Sequence, residues 1–179
     1  MWLVMTCIVI VGYQGCGKSE IGECLKRLLN VQIIEIGDIV RELYKEQISE
    51  KSVIEFADGL FEKGKELLIE KRALQLIQPD SQGVAFVGLR TRRELRFLKS
   101  RLEINLVIGI KCDIWKRYQL RVTQKKESDN FFLRELVEQN WDKGESILDE
   151  CDIINNNNNN GVTKLVDYLQ VLSPANKCQ

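Results

Sequence analysis

Apolar residues follow two rhythms along this chain. Compact runs rich in Ile and Val occur at 6–11, 32–36, 83–88, 105–111 and 152–154. Such runs read as strands buried on both faces. Between them, apolar positions return at three- and four-residue spacing, as at Ile21, Cys24, Leu25 and Leu28. That spacing predicts helices over 18–29, 38–48, 52–78, 91–99, 113–122, 131–150 and 162–171, with Gly59 or Gly64 as places where the long third one can break. Strands separated by helices predict an α/β fold with a parallel sheet covered on both faces and right-handed crossovers. Ligands in such sheets sit at the carboxyl ends of the strands. The residues that follow each strand are therefore the first to examine.

The first strand runs directly into Gly12-Tyr13-Gln14-Gly15-Cys16-Gly17-Lys18-Ser19, which fits G-x-x-x-x-G-K-[ST]. The order strand, loop, helix is what phosphate binding requires. Glycines let backbone N–H groups turn inward around an anion, and the helix N-terminus adds its own amides and dipole. Lys18 would reach the β- and γ-phosphates and the Ser19 hydroxyl would hold Mg²⁺. Gly12, Gly15, Cys16 and Gly17 complete the candidate cradle.

Composition narrows the alternatives. The 179 residues suffice for one domain with a real core. Lys plus Arg and Asp plus Glu both number 26, so no global charge favours nucleic acid or an anionic membrane. Histidine is absent, which excludes His-based acid–base chemistry, Ser-His triads and His-built zinc sites. The six cysteines form no C-x-x-C pair, and a disulfide scaffold would be smaller and richer in loops. A reducing cytoplasm is the expected location. The apolar N-terminus lacks a basic leader and opens directly into the phosphate loop, so it reads as the first strand. Asn155 to Asn160 form a low-complexity run before Gly161, and residues 173–179 read as a flexible tail.

The order of motifs resembles the nucleoside monophosphate kinases of the P-loop superfamily. Within it, the chain is most similar to the adenylate-kinase-related and dephospho-coenzyme-A-kinase-like proteins of archaea. Five segments carry the resemblance across residues 6–172: the phosphate loop, Gly37-Asp38-Ile39-Val40-Arg41-Glu42, Gly88-Leu89-Arg90, Ser128-Asp129 and Cys151-Asp152-Ile153-Ile154-Asn155. The resemblance implies a doubly wound five-stranded sheet in a single domain over 1–172. It implies acceptor-binding helices within about 38–80, a short lid at about 117–130, ATP and Mg²⁺ as cofactors, and phosphoryl transfer to a small phosphorylated acceptor. Arg41 and Arg90 match arginines that hold the acceptor phosphate, and the planar guanidinium suits that task. Asp38 matches a residue that approaches Mg²⁺ or orients the acceptor; read locally, it is an N-cap. Arg117 and Arg121 lie in the lid on one helix face, ahead of Lys125 and Lys126, and are the candidates to neutralise transition-state charge. Asn155 falls near the purine pocket. Phe56, Leu60 and Phe61 read as base contacts or as core. A monomer or homodimer is expected, without nucleic-acid or membrane partners.

Two departures bear on activity. Val87 stands where the family carries an acidic residue that helps hold Mg²⁺ through water, and Asp38 is the expected substitute. The family's Arg-Asp pair of the lid side reads Asn140-Trp141-Asp142 here. A nucleotide-binding protein that acts through protein contacts is therefore an alternative to a kinase. A GTP-binding switch is a further one: Leu106 to Asp113 resembles the strand and N-K-x-D guanine motif, with Ile110 in place of the Asn.

Overall fold

The computed structural model describes residues 6–47, 51–63, 65, 67–123, 131–141, 146–156 and 165. Five strands, β1 (Thr6–Gly12), β2 (Gln32–Glu35), β3 (Gly83–Leu89), β4 (Leu106–Lys111) and β5 (Ile153–Asn156), form one sheet in the order β2-β3-β1-β4-β5. Every neighbouring pair is parallel. The helices are α1 (Lys18–Leu29), α2 (Ile36–Glu46), α3 (Val53–Glu62), α4 (Leu67–Gln75), α5 (Arg92–Lys99), α6 (Ile114–Thr123) and α7 (Phe131–Trp141), with a 3₁₀ turn at Ile147–Glu150.

Side-chain alternation in the strands builds two cores. Ile8 and Ile10 of β1 join Ala85 and Val87 of β3 and Ile108 and Ile110 of β4 under Ile21 and Leu25 of α1. Cys7, Val9 and Val11 face the other way, with Val84, Phe86, Ile39 of α2, Leu60 of α3, Ile69 of α4 and Leu95 of α5. This is the expected doubly wound α/β sheet, with helices on both faces. The chain crosses β1 between β3 and β4. Strand order thus reverses beside the carboxyl end of β1, where a ligand crevice opens in such sheets.

The boundaries differ from the sequence expectation in three places. Helix α2 starts at Ile36, two residues early, which puts Asp38 inside the first turn and makes Glu35 the N-cap residue. The span 52–78 divides into α3 and α4, with Lys63 and Lys65 outside both helices, while Gly59 sits inside α3 with open space around it. A capping box between Ser52 and Glu55 starts α3. Of the span 131–150, Phe131–Trp141 is α-helix and Ile147–Glu150 is a 3₁₀ turn. Gly64, Lys125, Lys126, Ser128, Asp129, Asp142, the run after Asn156, the helix expected at 162–171 apart from Leu165, and the tail at 173–179 lie outside the described residues. Among the described residues no disulfide joins any cysteines, and no helix is long and apolar enough to cross a membrane.

Candidate functional site

The candidate phosphate loop leaves β1 and enters α1 through three glycines with positive φ: Gly12 at 145°, Gly15 at 74° and Gly17 at 93°. Only glycine takes these angles cheaply. Gly12 is also tightly confined, since a Cβ there would lie 2.6 Å from the Ile110 carbonyl oxygen and 2.9 Å from Cys16 Sγ. Cys16 is fully buried beneath the loop. The loop thus rests on β4 and leads into α1, which begins at Lys18 with Gly17 as cap.

Lys18 folds back over the loop. Its Nζ donates to the Tyr13 carbonyl at 2.7 Å and lies 3.7 Å from Cys16 Sγ. Its stem passes beside Gly88. Burial, with Arg90 adding to it, lowers the Lys18 ammonium to about 8. An arriving phosphate would oppose that shift by supplying the missing counter-charge.

Ser19 is exposed at the mouth of a cleft of about 550 Å³ that runs from the loop between α2, α3 and α7. The volume is that of a small-molecule site. Arg41, Arg90, Arg121 and Arg134 line it with Lys18, as do Glu35, Glu94 and Glu138. On the wall away from the loop, Phe61 stacks on Trp141 with ring centroids 4.0 Å apart, and Trp141 Nε1 donates to Asp58 at 2.8 Å. Phe56 and Leu60 are buried in the core instead.

Arg90 follows β3 across a bulge at Gly88, where pairing with β1 skips a residue and φ is 102°. Its Nη1 donates to the Gly12 carbonyl at 2.5 Å and lies 3.5 Å from Glu138. Thr91 and Glu94 form a capping box, in which Glu94 also accepts from the Arg90 amide at 2.9 Å. Glu94 is wholly buried, and that burial raises its carboxyl above the ordinary range; Glu70 bonds to it and opposes the rise. Glu138 accepts from Arg134 Nε at 2.8 Å. Burial would raise Glu138, but Arg90 and Arg134 outweigh it and leave the carboxylate below its ordinary value.

The predicted lid arginines part company. Arg121 reaches the cleft, its Cγ close to Gly15. Arg117 does not stand free on a lid. Its side chain is 4% exposed and makes a two-pronged pair with Glu135 of α7, at 2.8 and 2.6 Å. It also donates to the carbonyls of Gln14 and Cys112, each at 3.1 Å. Tyr13 and Phe131 flank its guanidinium. Arg117 is a clamp that fastens α6 and α7 to the phosphate loop.

Arg41 lines the cleft beside Gly37. It bonds to Asp38, and both side chains are more than half exposed. Asp38 is therefore neither the N-cap nor a lining residue of the cleft among those described. Asn155 pairs with Ile110 in the β5 ladder. Ile110, where the guanine motif would need Asn, is fully buried.

Sequence reasoning missed Glu35, Arg134, Glu138 and Trp141. Glu35 ends β2 and lines the cleft with Ser19; burial raises its carboxyl, the neighbouring Ser19 hydroxyl opposes the rise and Asp38 adds to it. Hydroxyl and carboxylate oxygens are hard donors of the kind Mg²⁺ takes. Among the described residues no group of three or more His, Cys, Asp or Glu could hold a metal alone. This donor set fits a magnesium ion carried largely by nucleotide phosphate and water, with Ser19 and Glu35 beside it.

No family model matches the chain, and no curated protein matches it in sequence. Solved structures do. A shikimate kinase from Bacteroides thetaiotaomicron is 20% identical with a TM-score of 0.56, over 94% of this chain and 98% of that one. A shikimate kinase from Acinetobacter baumannii, solved with shikimate, is 18% identical with a TM-score of 0.57, over 99% and 98%. A Thermus thermophilus protein is 12% identical with a TM-score of 0.60, over 94% and 97%. At such identities the likeness is one of fold: the chain shares the parallel α/β fold of these structures.

Proposed function

We propose that this protein transfers the γ-phosphoryl group of ATP to a small acceptor bound in the cleft beside the phosphate loop. One observation carries the reading: the loop opens into a cleft of substrate size that Lys18, Arg41, Arg90, Arg121 and Arg134 line. Phosphoryl transfer is mostly positioning and charge neutralisation, and this arrangement supplies both. The loop amides and Lys18 hold the β- and γ-phosphates. Arg90, braced on the Gly12 carbonyl and Glu138, faces the incoming acceptor. Arg41 offers its free donors to the acceptor's phosphate from the opposite wall. Arg121 approaches the loop from α6 and adds positive charge where the transferred group carries negative charge. Bound Mg²⁺ would neutralise the phosphates, held by Ser19. The stacked pair of Phe61 and Trp141 gives the far wall a flat apolar face suited to a planar group. A nucleoside monophosphate or a dephospho-coenzyme-A-like molecule fits that combination of arginine and aromatic.

The buried Val87 supports a second reading, in which the protein binds ATP and does not transfer from it. A panel of nucleoside monophosphates, dephospho-coenzyme A and shikimate with labelled ATP and Mg²⁺ separates the two. Shikimate belongs in the panel because it is the ligand of one structural relative. Label transferred to one acceptor supports the kinase. Tight ATP binding with no transfer to any member supports the second reading.

A further inference from the structure

We infer that Glu35 is the carboxylate that fixes the nucleotide-bound magnesium ion, in place of Asp38. The inference rests on the reading of the phosphate loop as a magnesium-nucleotide site and goes beyond it by assigning a residue. Magnesium in such sites uses one or two carboxylates along with phosphate oxygens and water, and the loop hydroxyl that holds it is Ser19. Four carboxylates stand near enough to consider. Glu94 is wholly buried, with its Oε2 taken by the amides of Arg90 and Thr91 and by the Thr91 hydroxyl. Glu138 is spent on Arg90 and Arg134. Asp38 is exposed, pairs with Arg41 and does not line the cleft. Glu35 lines the cleft together with Ser19 and is half-buried there.

Sheet register explains how Glu35 gets there. Glu35 pairs with Val87 across β2 and β3. Directly paired residues of parallel strands project from the same face of the sheet, about 4.8 Å apart. Val87 projects onto Gly22 of α1, the helix that begins with Lys18 and Ser19. A carboxylate at 35 therefore serves the face that one at 87 would serve, from the adjacent strand. At 87 the side chain is wholly buried against α1, whereas Glu35 is half-buried and opens on the cleft. The outer strand is the position from which a charged group can meet both solvent and the ion.

Removing the carboxylate has a signature that a merely structural role lacks. Glu35 is a negative charge beside the phosphate site, so it works against metal-free nucleotide and in favour of the metal complex. Glu35→Gln should leave ADP without metal bound as tightly as in the wild type, or more tightly. The same change should cut the tightening that Mg²⁺ confers on ADP by about tenfold or more, the usual effect of losing an orienting partner of a metal. Glu35→Asp, which keeps the charge on a shorter stem, should retain part of the tightening. Calorimetry with ADP, with and without Mg²⁺, gives these values. Electron paramagnetic resonance of Mn²⁺ in the presence of ADP reads the metal directly. Undiminished Mg²⁺ tightening and unchanged Mn²⁺ binding in Glu35→Gln would overturn the assignment while leaving the phosphate-loop reading intact. A wild-type protein that binds no ADP would overturn both.

Discussion

Replacing Arg117 by alanine should cost stability before it costs chemistry. Its guanidinium and the Glu135 carboxylate are each 4% exposed and share two hydrogen bonds, at 2.8 and 2.6 Å. Removing one member of a buried pair strands the other charge in a poor solvent and costs about 3–5 kcal/mol. The carbonyls of Gln14 and Cys112 lose donors at the same time. A loss of about 4 kcal/mol, set against a total of about 5–15 kcal/mol, consumes a large share of the folding free energy. With a slope of about 2 kcal/mol per molar urea, the midpoint should fall by about 2 M. Removing both charges, as Arg117→Met with Glu135→Leu, should recover most of the loss, because an apolar pair of similar volume needs no desolvation. The assay is urea unfolding followed by far-ultraviolet circular dichroism on the wild type, both single variants and the double variant. A lid arginine in solvent behaves differently, since exposed pairs contribute about 0–1 kcal/mol. A loss below about 1 kcal/mol in Arg117→Ala, with activity abolished, would refute the clamp and restore the catalytic role expected from sequence.

Three other outcomes follow from the same geometry. Gly12→Ala should weaken ATP binding at least about tenfold and lower stability by about 1–3 kcal/mol, because φ is 145° and the new methyl would meet Ile110 and Cys16; calorimetry and urea unfolding check both. Thr91→Ala removes the hydroxyl that accepts from the Glu94 amide at 3.2 Å and should cost about 1 kcal/mol of stability, read by urea unfolding. Lys18 sets two opposed pH trends from its ammonium lowered to about 8 against an ordinary 10.5. ATP affinity should fall as pH rises above about 8 and the free protein loses that charge. Stability of the empty protein should rise between about 8 and 10.5, because the unfolded chain then keeps a proton that the folded one has released. Lys18→Met should abolish both trends in calorimetric and unfolding titrations from pH 7 to 10.5.

The sheet was legible because each strand is a continuous apolar run, and burial on both faces is what such a run records. The turn from β1 into α1 was legible because its glycines are contiguous in sequence, from Gly12 to Gly17. The remainder of the site depends on residues far apart in sequence. Glu135 lies 18 residues from Arg117, so the spacing that put Arg117 and Arg121 on one helix face could not reveal which was committed to a buried pair. Glu35 is a single polar residue at a strand end, and only the pairing with Val87 shows which face it serves. Arg134, Glu138 and Trp141 belong to α7, whose pattern reads as an ordinary amphipathic helix until α3 packs against it. Asp38 reads as a cap because the apolar spacing places the helix start at 38. The helix instead starts at Ile36, a core residue that packs with Ile34 and Ile39.

The central claim is that backbone amides around Gly15 and Gly17, with the Lys18 ammonium, hold a polyphosphate. Isothermal titration of ATP with Mg²⁺ into the wild type and into Lys18→Ala tests it most directly. The account predicts saturable binding to the wild type at one site per chain. It predicts affinity at least about tenfold weaker in the variant, the value of one charge-assisted hydrogen bond of about 1.5–3 kcal/mol. Equal affinity for the two proteins, or no binding by the wild type, would contradict it.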